Sequence, residues 1–376
     1  MPIILIPIIL LLLFALERWI FNRYWQRGLS AELNFGAEAV TEGEEASLSE
    51  VITNRNFIPL HILQVNFQTD VGLDFKDTTN ASVTDRVNVI DVFSLRFYEK
   101  ITRTLMMDCR KRGFYSILQT SLVASDLFSS DIHYADRKQR TSMYVYPRLM
   151  PSDKVDIPFQ QLMGEVQSQR FLYEDNFTFR GIRDYAPTDQ MSDINWKASA
   201  RTGSMKVNLH DYTSSPEVAL ILNVEEPGIL FETELIEDCI RIARTLALKF
   251  IEANIPVSLL TNGLDKVSGE LIRLEAGASL DHNRNFCRAL ARIDLSKEAG
   301  DIEVLVKEEL GSSRSRQIVY CVISTSRREG MLRAAKELCD EKGKLLWFCP
   351  LTKSMDQRAP EDDRISFTRI IHDGYL

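Results

Sequence analysis

A change in hydrophobic period near Pro216 narrows the possible folds more than any other feature. From about Leu29 to Met150 the chain runs in short segments that alternate apolar and polar residues, among them HILQVNFQT, RVNVIDVFSLRFY and TSMYVYPRL. Turn signals such as Thr41-Glu42-Gly43-Glu44 and Arg112-Gly113 separate them. Alternation of this kind builds strands with one buried face, and its repetition predicts an antiparallel, Ig-like β-sandwich. After Pro216 the runs EVALILNV, IPVSLLTNG, RQIVYCVIST and KLLWFCPLT are apolar on both faces, the second read as ending at its Asn-Gly turn. Between the first two, Leu235, Ile236, Cys239, Ile240, Ala243, Leu246 and Phe250 draw one stripe on a helix. Such strands, alternating with amphipathic helices, predict a parallel sheet covered on both sides, an α/β domain of Rossmann type.

The N-terminus carries no charge from Pro2 to Leu16, and Trp19, Ile20 and Phe21 extend the apolar run beyond Glu17 and Arg18. A helix needs about 20 apolar residues to cross a bilayer. Arg18 can snorkel, and Trp19, Tyr24 and Trp25 suit an interface, so the run reads as a transmembrane anchor in contact with lipid. Arg18, Arg23 and Arg27 then place the bulk of the chain in the cytoplasm, as a single-pass protein of the cell membrane. The expected organisation is an anchor over 1–27, a sandwich over 28–150, a connecting segment over 151–215 and the α/β domain over 216–376. Within the connecting segment, VDIPFQQLMGEVQSQ fits a short helix or an irregular link.

Composition narrows the chemistry. A formal net charge of −8 weighs against nucleic acid as a partner. The six cysteines lie without close pairs, mostly in apolar runs, and read as buried reduced thiols. The five histidines are isolated, so metal-ligand spacing is absent. No phosphate-cradling, dinucleotide, zincin or nucleophile-elbow motif occurs, and no cofactor is expected.

The densest set of polar groups is RGIRDYAPTDQMSDINWKASAR, from Arg180 to Arg201. Lys197 stands two residues before Ser199, the wrong side of a helix for a catalytic dyad. If Asp193–Arg201 is helical, Asp193, Lys197 and Arg201 follow each other at i,i+4, while Trp196, Ser199 and Ala200 face inward. The first reading is a joint between domains, with Arg183, Asp189 and Arg201 as an ion-paired lock. The second is a docking face for a partner. A third is a membrane-associated hydrolase using Asp184, Asp189, Asp193 and Lys197 beside Tyr185.

Gly181-x-Arg183-x-Tyr185, Asp189 and Ile194-x-Trp196-x-x-Ser199-Ala200-Arg201 resemble the signature of a bacterial family catalogued as domain of unknown function 58. Arg112-Gly113-x-Tyr115, Asp126-Leu127-Phe128 and Val145-Tyr146-Pro147-Arg148 extend the resemblance upstream. Thr188 departs from it where a Gly is usual, and Asn195 fills a slot expected to vary. The resemblance implies a membrane-anchored, non-enzymatic scaffold with a von Willebrand factor A-like domain, serving assembly or envelope and stress processes. Its implied partner is a MoxR-type AAA ATPase or that enzyme's client. Domains of that type often hold a metal through Asp-x-Ser-x-Ser after the first strand. The matching positions here are Asn223, Glu225 and Pro227. Asn223 brings no charge and Pro227 no side-chain ligand, so no metal is expected.

Overall fold

The computed structural model describes residues 2–76, 81–83, 86–126, 131–172, 174–186, 191–212, 217–225, 233–312, 318–342, 344–353, 355, 359–360 and 362–372. It divides into two units, Met1–Arg148 and Leu149–Leu376.

The first unit opens with helix α1 (Pro2–Tyr24). Ten strands follow: β1 (Leu29–Phe35), β2 (Ala39–Thr41), β3 (Glu45–Asn54), β4 (Leu60–Thr69) and β5 (Leu73–Phe75). Then come β6 (Ala81–Val83), β7 (Val87–Leu95), β8 (Lys100–Cys109), β9 (Gly113–Ser125) and β10 (Ile132–Tyr146). They form two sheets, ordered β1-β3-β8-β5 and β2-β10-β9-β4-β7-β6. All pairs are antiparallel except β2, which runs parallel to β10. Alternation along each strand sends Leu48, Phe67, Met107, Ile117 and Val145 into one core shared by both sheets. Tyr115 donates from its hydroxyl to the Lys111 carbonyl at 2.8 Å. A Cβ at Gly72 would stand 1.7 Å from that hydroxyl, so only glycine fits there.

The expected transmembrane anchor is not found. Among the described residues no helix is long and apolar enough to cross a membrane. The uncharged part of α1 stops at Leu16; Glu17, Arg18 and Arg23 lie inside the helix. Arg18 pairs with Asp131 at 2.5 Å. Phe21, counted as extending the apolar run, and Trp25, assigned to the interface, are each 3% exposed and pack with Leu29, Ile52 and Leu60 in the core of the strands. The single-pass placement at the cell membrane, with the bulk of the chain cytoplasmic, falls with the span.

The second unit begins with α2 (Ser152–Leu172), whose Val155, Leu162 and Val166 are buried. This helix belongs to the unit's own core, which settles how VDIPFQQLMGEVQSQ folds. A two-stranded sheet of β11 (Glu174–Asp184) and β12 (Lys206–Tyr212) encloses a 3-10 turn, Met191–Asp193, and α3 (Trp196–Thr202). The rest reads β13 (Glu217–Leu222), α4 (Thr233–Glu252), β14 (Val257–Asp265), β15 (Leu271–Gly277), α5 (Leu280–Arg292) and β16 (Ile293–Asp294). It ends with α6 (Ile302–Ser312), β17 (Ile318–Ile323), α7 (Glu329–Lys342), β18 (Leu345–Leu351) and β19 (Ile365–Ile371).

These strands form one seven-stranded sheet with the path β15-β14-β13-β17-β18-β19, β16 pairing with β14 off that path. One face is covered by α2, α4 and α5, the other by α6 and α7. The sheet is mixed: β15 and β16 run antiparallel to β14. The reason is local. β14 runs through Asn262-Gly263 to Asp265, and the turn falls at Gly269, φ +75°, whose N–H donates to the Asp265 carbonyl at 2.8 Å. So short a connection joins only antiparallel strands. The expected combination of transmembrane helix, Ig-like sandwich and von Willebrand factor A-like Rossmann-type domain is thus corrected. The chain is β-rich, with its strands spread over four sheets and no clear domain of that last type.

All six cysteines are free and buried, and burial pushes each thiol above its ordinary range. His372, read as isolated, meets the buried Asp238 of α4 at 2.5 Å, and Arg241 holds the same carboxylate at 2.8 Å. These contacts tie the end of β19 to α4.

One charge sits deep in the first unit. Glu50 of β3 is fully buried, beside Asp91 of β7, which Arg103 of β8 grips at 2.5 Å. Burial first, and the Asp91 carboxylate second, push the Glu50 carboxyl up to about 8, against the pull of Arg103. Below about pH 4.5 folded and unfolded chains both hold this proton. Between about 4.5 and 8 only the folded chain does, so stability falls as pH rises, and above about 8 the loss is complete. We expect melting of the wild type to drop between about pH 5 and pH 8.5, and Glu50→Gln to remove ~5 °C of that drop. Parallel profiles for the two proteins in differential scanning calorimetry would refute the assignment.

Candidate functional site

The Arg180–Arg201 segment folds inside the second unit as one module, the loop between β11 and β12. Among its described residues, burial comes at the bridge of Ile194 to Val207, which are 5% and 3% exposed. Asn195 organises the rest. Its side-chain oxygen accepts from the Ala198 N–H at 2.9 Å, capping α3, and its amide donates to Asn208 at 2.6 Å. Ser199 donates to the Asn195 carbonyl at 2.8 Å and accepts from the Lys206 N–H at 2.9 Å. Gly203, at φ +72°, closes α3 by donating to the Ser199 carbonyl. Across the strands, Lys206 pairs with Asp184 at 2.6 Å.

Several expectations change here. Trp196 and Ala200 do not face inward; both are exposed, Trp196 at 64%. The helix has two turns and no buried residue, because Ile194 and Val207 provide the burial just before it. Arg183, Lys197 and Arg201 are exposed, and the Arg183 guanidinium donates to the Asp184 carbonyl at 3.1 Å. Gly181 and Tyr185 are half-buried. Asp189 lies outside the described residues, as does Thr188, and Arg180 is described only as part of β11. Among the described residues the module shows the ion pair Asp184–Lys206, and the expected lock of Arg183, Asp189 and Arg201 turns on Asp189, which lies outside them. Met191 at 70%, Ile182 at 46% and Met205 at 44% add to its exposed apolar surface.

A second polar assembly lies where β13, β14 and β17 end. Asn223, Asn262 and Ser324 are all but fully buried. Asn223 donates to Ser324 at 3.1 Å and accepts from Asn262 at 2.7 Å and from the Glu225 N–H at 3.0 Å. Asn262 also accepts from the Val224 N–H at 2.9 Å and donates to the Gly300 carbonyl at 3.0 Å. Ser324 accepts from the Ser326 N–H, and the indole of Trp347 donates to the Ser324 carbonyl. The Glu225 carboxylate pairs with Arg328 at 3.0 Å. The groups at the degenerate metal positions Asn223 and Glu225 therefore serve one another and Arg328, while Pro227 lies outside the described residues. A cavity of about 640 Å³ opens above this network. Asn262, Ser324 and Arg328 were not singled out from sequence. The available signal was that three apolar runs each end in small polar residues, LNVE, LTNG and ISTS.

No protein-family model and no curated protein matches the chain. Among solved structures, the C-terminal domain of wzt aligns at 10% identity, covering 32% of this chain and 74% of that one, with a TM-score of 0.23. AvmM, which catalyses macrocyclization in alchivemycin A biosynthesis, aligns at 13% identity over 30% of this chain and 89% of its own, TM-score 0.22. A CARDB domain of a Pyrococcus furiosus protein in complex with di-metal ions aligns at 11%, covering 30% and 90%, TM-score 0.19. Likeness this slight carries no weight for fold or function.

Asn195 is the testable centre of the module. Asn195→Ala should cost about 1–2 kcal/mol and open the Arg180–Arg201 segment to limited proteolysis. Asn195→Asp keeps the acceptor for Ala198 but loses the donor to Asn208, and should fall between the two. An unchanged melting temperature in Asn195→Ala would show that the cap does not hold the module.

Proposed function

We propose that the chain is a non-enzymatic adaptor that docks a protein partner on the Arg180–Arg201 module. The partner we infer is a MoxR-type AAA ATPase or its client, as the resemblance to domain of unknown function 58 implies. The observation that carries the reading is the display of Trp196 and Met191 on a module whose polar groups are engaged in its own shape. Tryptophan and methionine are enriched where proteins meet, and folded monomers rarely expose large contiguous apolar surface without use. Of the groups in the hydrolase alternative, Asp184 pairs with Lys206 and Asp193 accepts from Ser192, while Asp189 lies outside the described residues.

Contact with lipid belongs to the same proposal, at a surface rather than across a bilayer. Leu10, Leu11 and Leu12 of α1 are each more than 60% exposed, and Arg23 and Arg27 follow them. The apolar side chains would meet the acyl boundary while the cations meet anionic headgroups. Leu11→Asp combined with Leu12→Asp should abolish flotation with vesicles containing phosphatidylserine; undiminished flotation would remove lipid from the reading.

For the protein partner, a purified MoxR-type ATPase held in its ATP-bound state is the reagent. Wild-type chain should retain it, and Trp196→Ala should weaken the complex by about tenfold or more with unchanged melting. Equal retention by both proteins, or none by the wild type, would overturn the proposal.

A further inference from the structure

The cavity at the ends of β13, β14 and β17 already contains one half of a recognition event. Glu225 and Arg328 form an ion pair at its rim, and the two partners are held very differently. Glu225 directly follows the buried network: its N–H is fixed by Asn223, and its carboxylate also accepts from Ser326 at 3.4 Å. Its side chain is 30% exposed. Arg328 is 52% exposed, on a long side chain leading into α7. The carboxylate is thus the fixed member and the guanidinium the movable one.

The rest of the rim has the sign of the fixed member. Asp294, Glu298, Asp301 and Glu303 line the cavity against one further cation, Lys297. Lys297 lies 3.8 Å from Asp294, and Glu303 pairs with Arg333 at 3.2 Å, which leaves Glu298 and Asp301 as surplus negative charge. A cleft lined by one sign raises the local concentration of ions of the other. The buried network does not line the cavity; it reaches the site by holding the backbone of Val224, Glu225 and Gly300, which do.

We propose that this cavity binds the cationic side chain of an arginine or lysine in a partner polypeptide, which displaces Arg328 from Glu225. Arg328 is then a built-in placeholder that keeps Glu225 paired while the site is free. Guanidinium is the better fit, since the group it replaces is one. The proposal deepens the adaptor reading by giving it a second contact with a chemical preference for basic segments.

The experiment is calorimetric titration of the full chain with the tripeptide Gly-Arg-Gly, with Gly-Glu-Gly and with magnesium. Gly-Arg-Gly should bind. Arg328→Ala should tighten it by about tenfold, because no placeholder has to leave, and Glu225→Gln should weaken it by about tenfold or more. Both variants should melt as the wild type does, since the buried network lies beneath them. Equal binding to wild type and Glu225→Gln would mean only general attraction to a chain of net charge −8, and would overturn the proposal. So would weaker binding to Arg328→Ala, or preference for Gly-Glu-Gly, which would make Arg328 the receptor of an anion. Binding of magnesium but not of Gly-Arg-Gly would overturn it in favour of a metal. Because the probe is a tripeptide and the measurement uses this chain alone, failure here leaves the docking of the ATPase at Trp196 to its own test.

Discussion

Val218, Ala219, Leu220, Ile221 and Leu222 are fully buried at the centre of the large sheet, with β14 hydrogen-bonded on one side and β17 on the other. A strand in that position has no face and no edge open to water, so its peptide groups depend on their neighbours for every bond. Helices must then cover both faces, as α4 and α5 do on one and α6 and α7 on the other. The same burial governs the strand's exit. Asn223 leaves the sheet still fully buried, and a buried amide is costly unless both its donor and its acceptor find partners. Asn262, just past the last β14 residue paired with β13, and Ser324, just past β17, supply them. The buried polar network is therefore a consequence of how β13 leaves the sheet, and the fixed position of Glu225 at the rim of the cavity is a consequence of that network.

The first unit resolves burial by different means. Its strands hide one face and wet the other, so most of their polar residues never leave water. Glu50 is one of those that do, with Asp91: it takes an inward position in β3, opposite Arg103 in the register, where the sheet's alternation calls for an apolar side chain. With Asp91 beside it, two carboxyls share a space in which both cannot ionise cheaply. Keeping one as the neutral acid removes most of the cost, and Arg103 then has a single carboxylate to hold.

Period was the part of the fold most legible in the sequence, because it reports how many faces of an element are covered. It separated the alternating strands of the first unit from the doubly buried strands of the second. It could not report direction: β15 runs antiparallel because of a tight turn at Gly269, while Asn262-Gly263, the stronger turn signal, lies inside β14. Nor could it tell an apolar run that meets lipid from one that ends in a protein core. Phe21 read as a continuation of the apolar run and Trp25 as an interfacial anchor, yet they pack on Leu29 and Ile52, and no local pattern encodes a contact that long-range folding makes. In the charged module ionic groups dominate the sequence, whereas the hydrogen bonds that shape its described residues come largely from neutral Asn195 and Ser199, small side chains that reach backbone groups at short range.

These short-range fasteners bear on what the module displays. Capped by Asn195 at one end and Gly203 at the other, α3 is confined to two turns, too short to bury a stripe of its own. Trp196 stands in its first turn, just past the cap, and so has no interior to enter. Holding an indole in water forgoes about 2–3 kcal/mol of burial, and nothing in the module's own bonding gains from it. The exposed Trp196 is thus set apart from the groups that fold the segment. Such a residue can be optimised for a partner's surface without disturbing the fold that presents it.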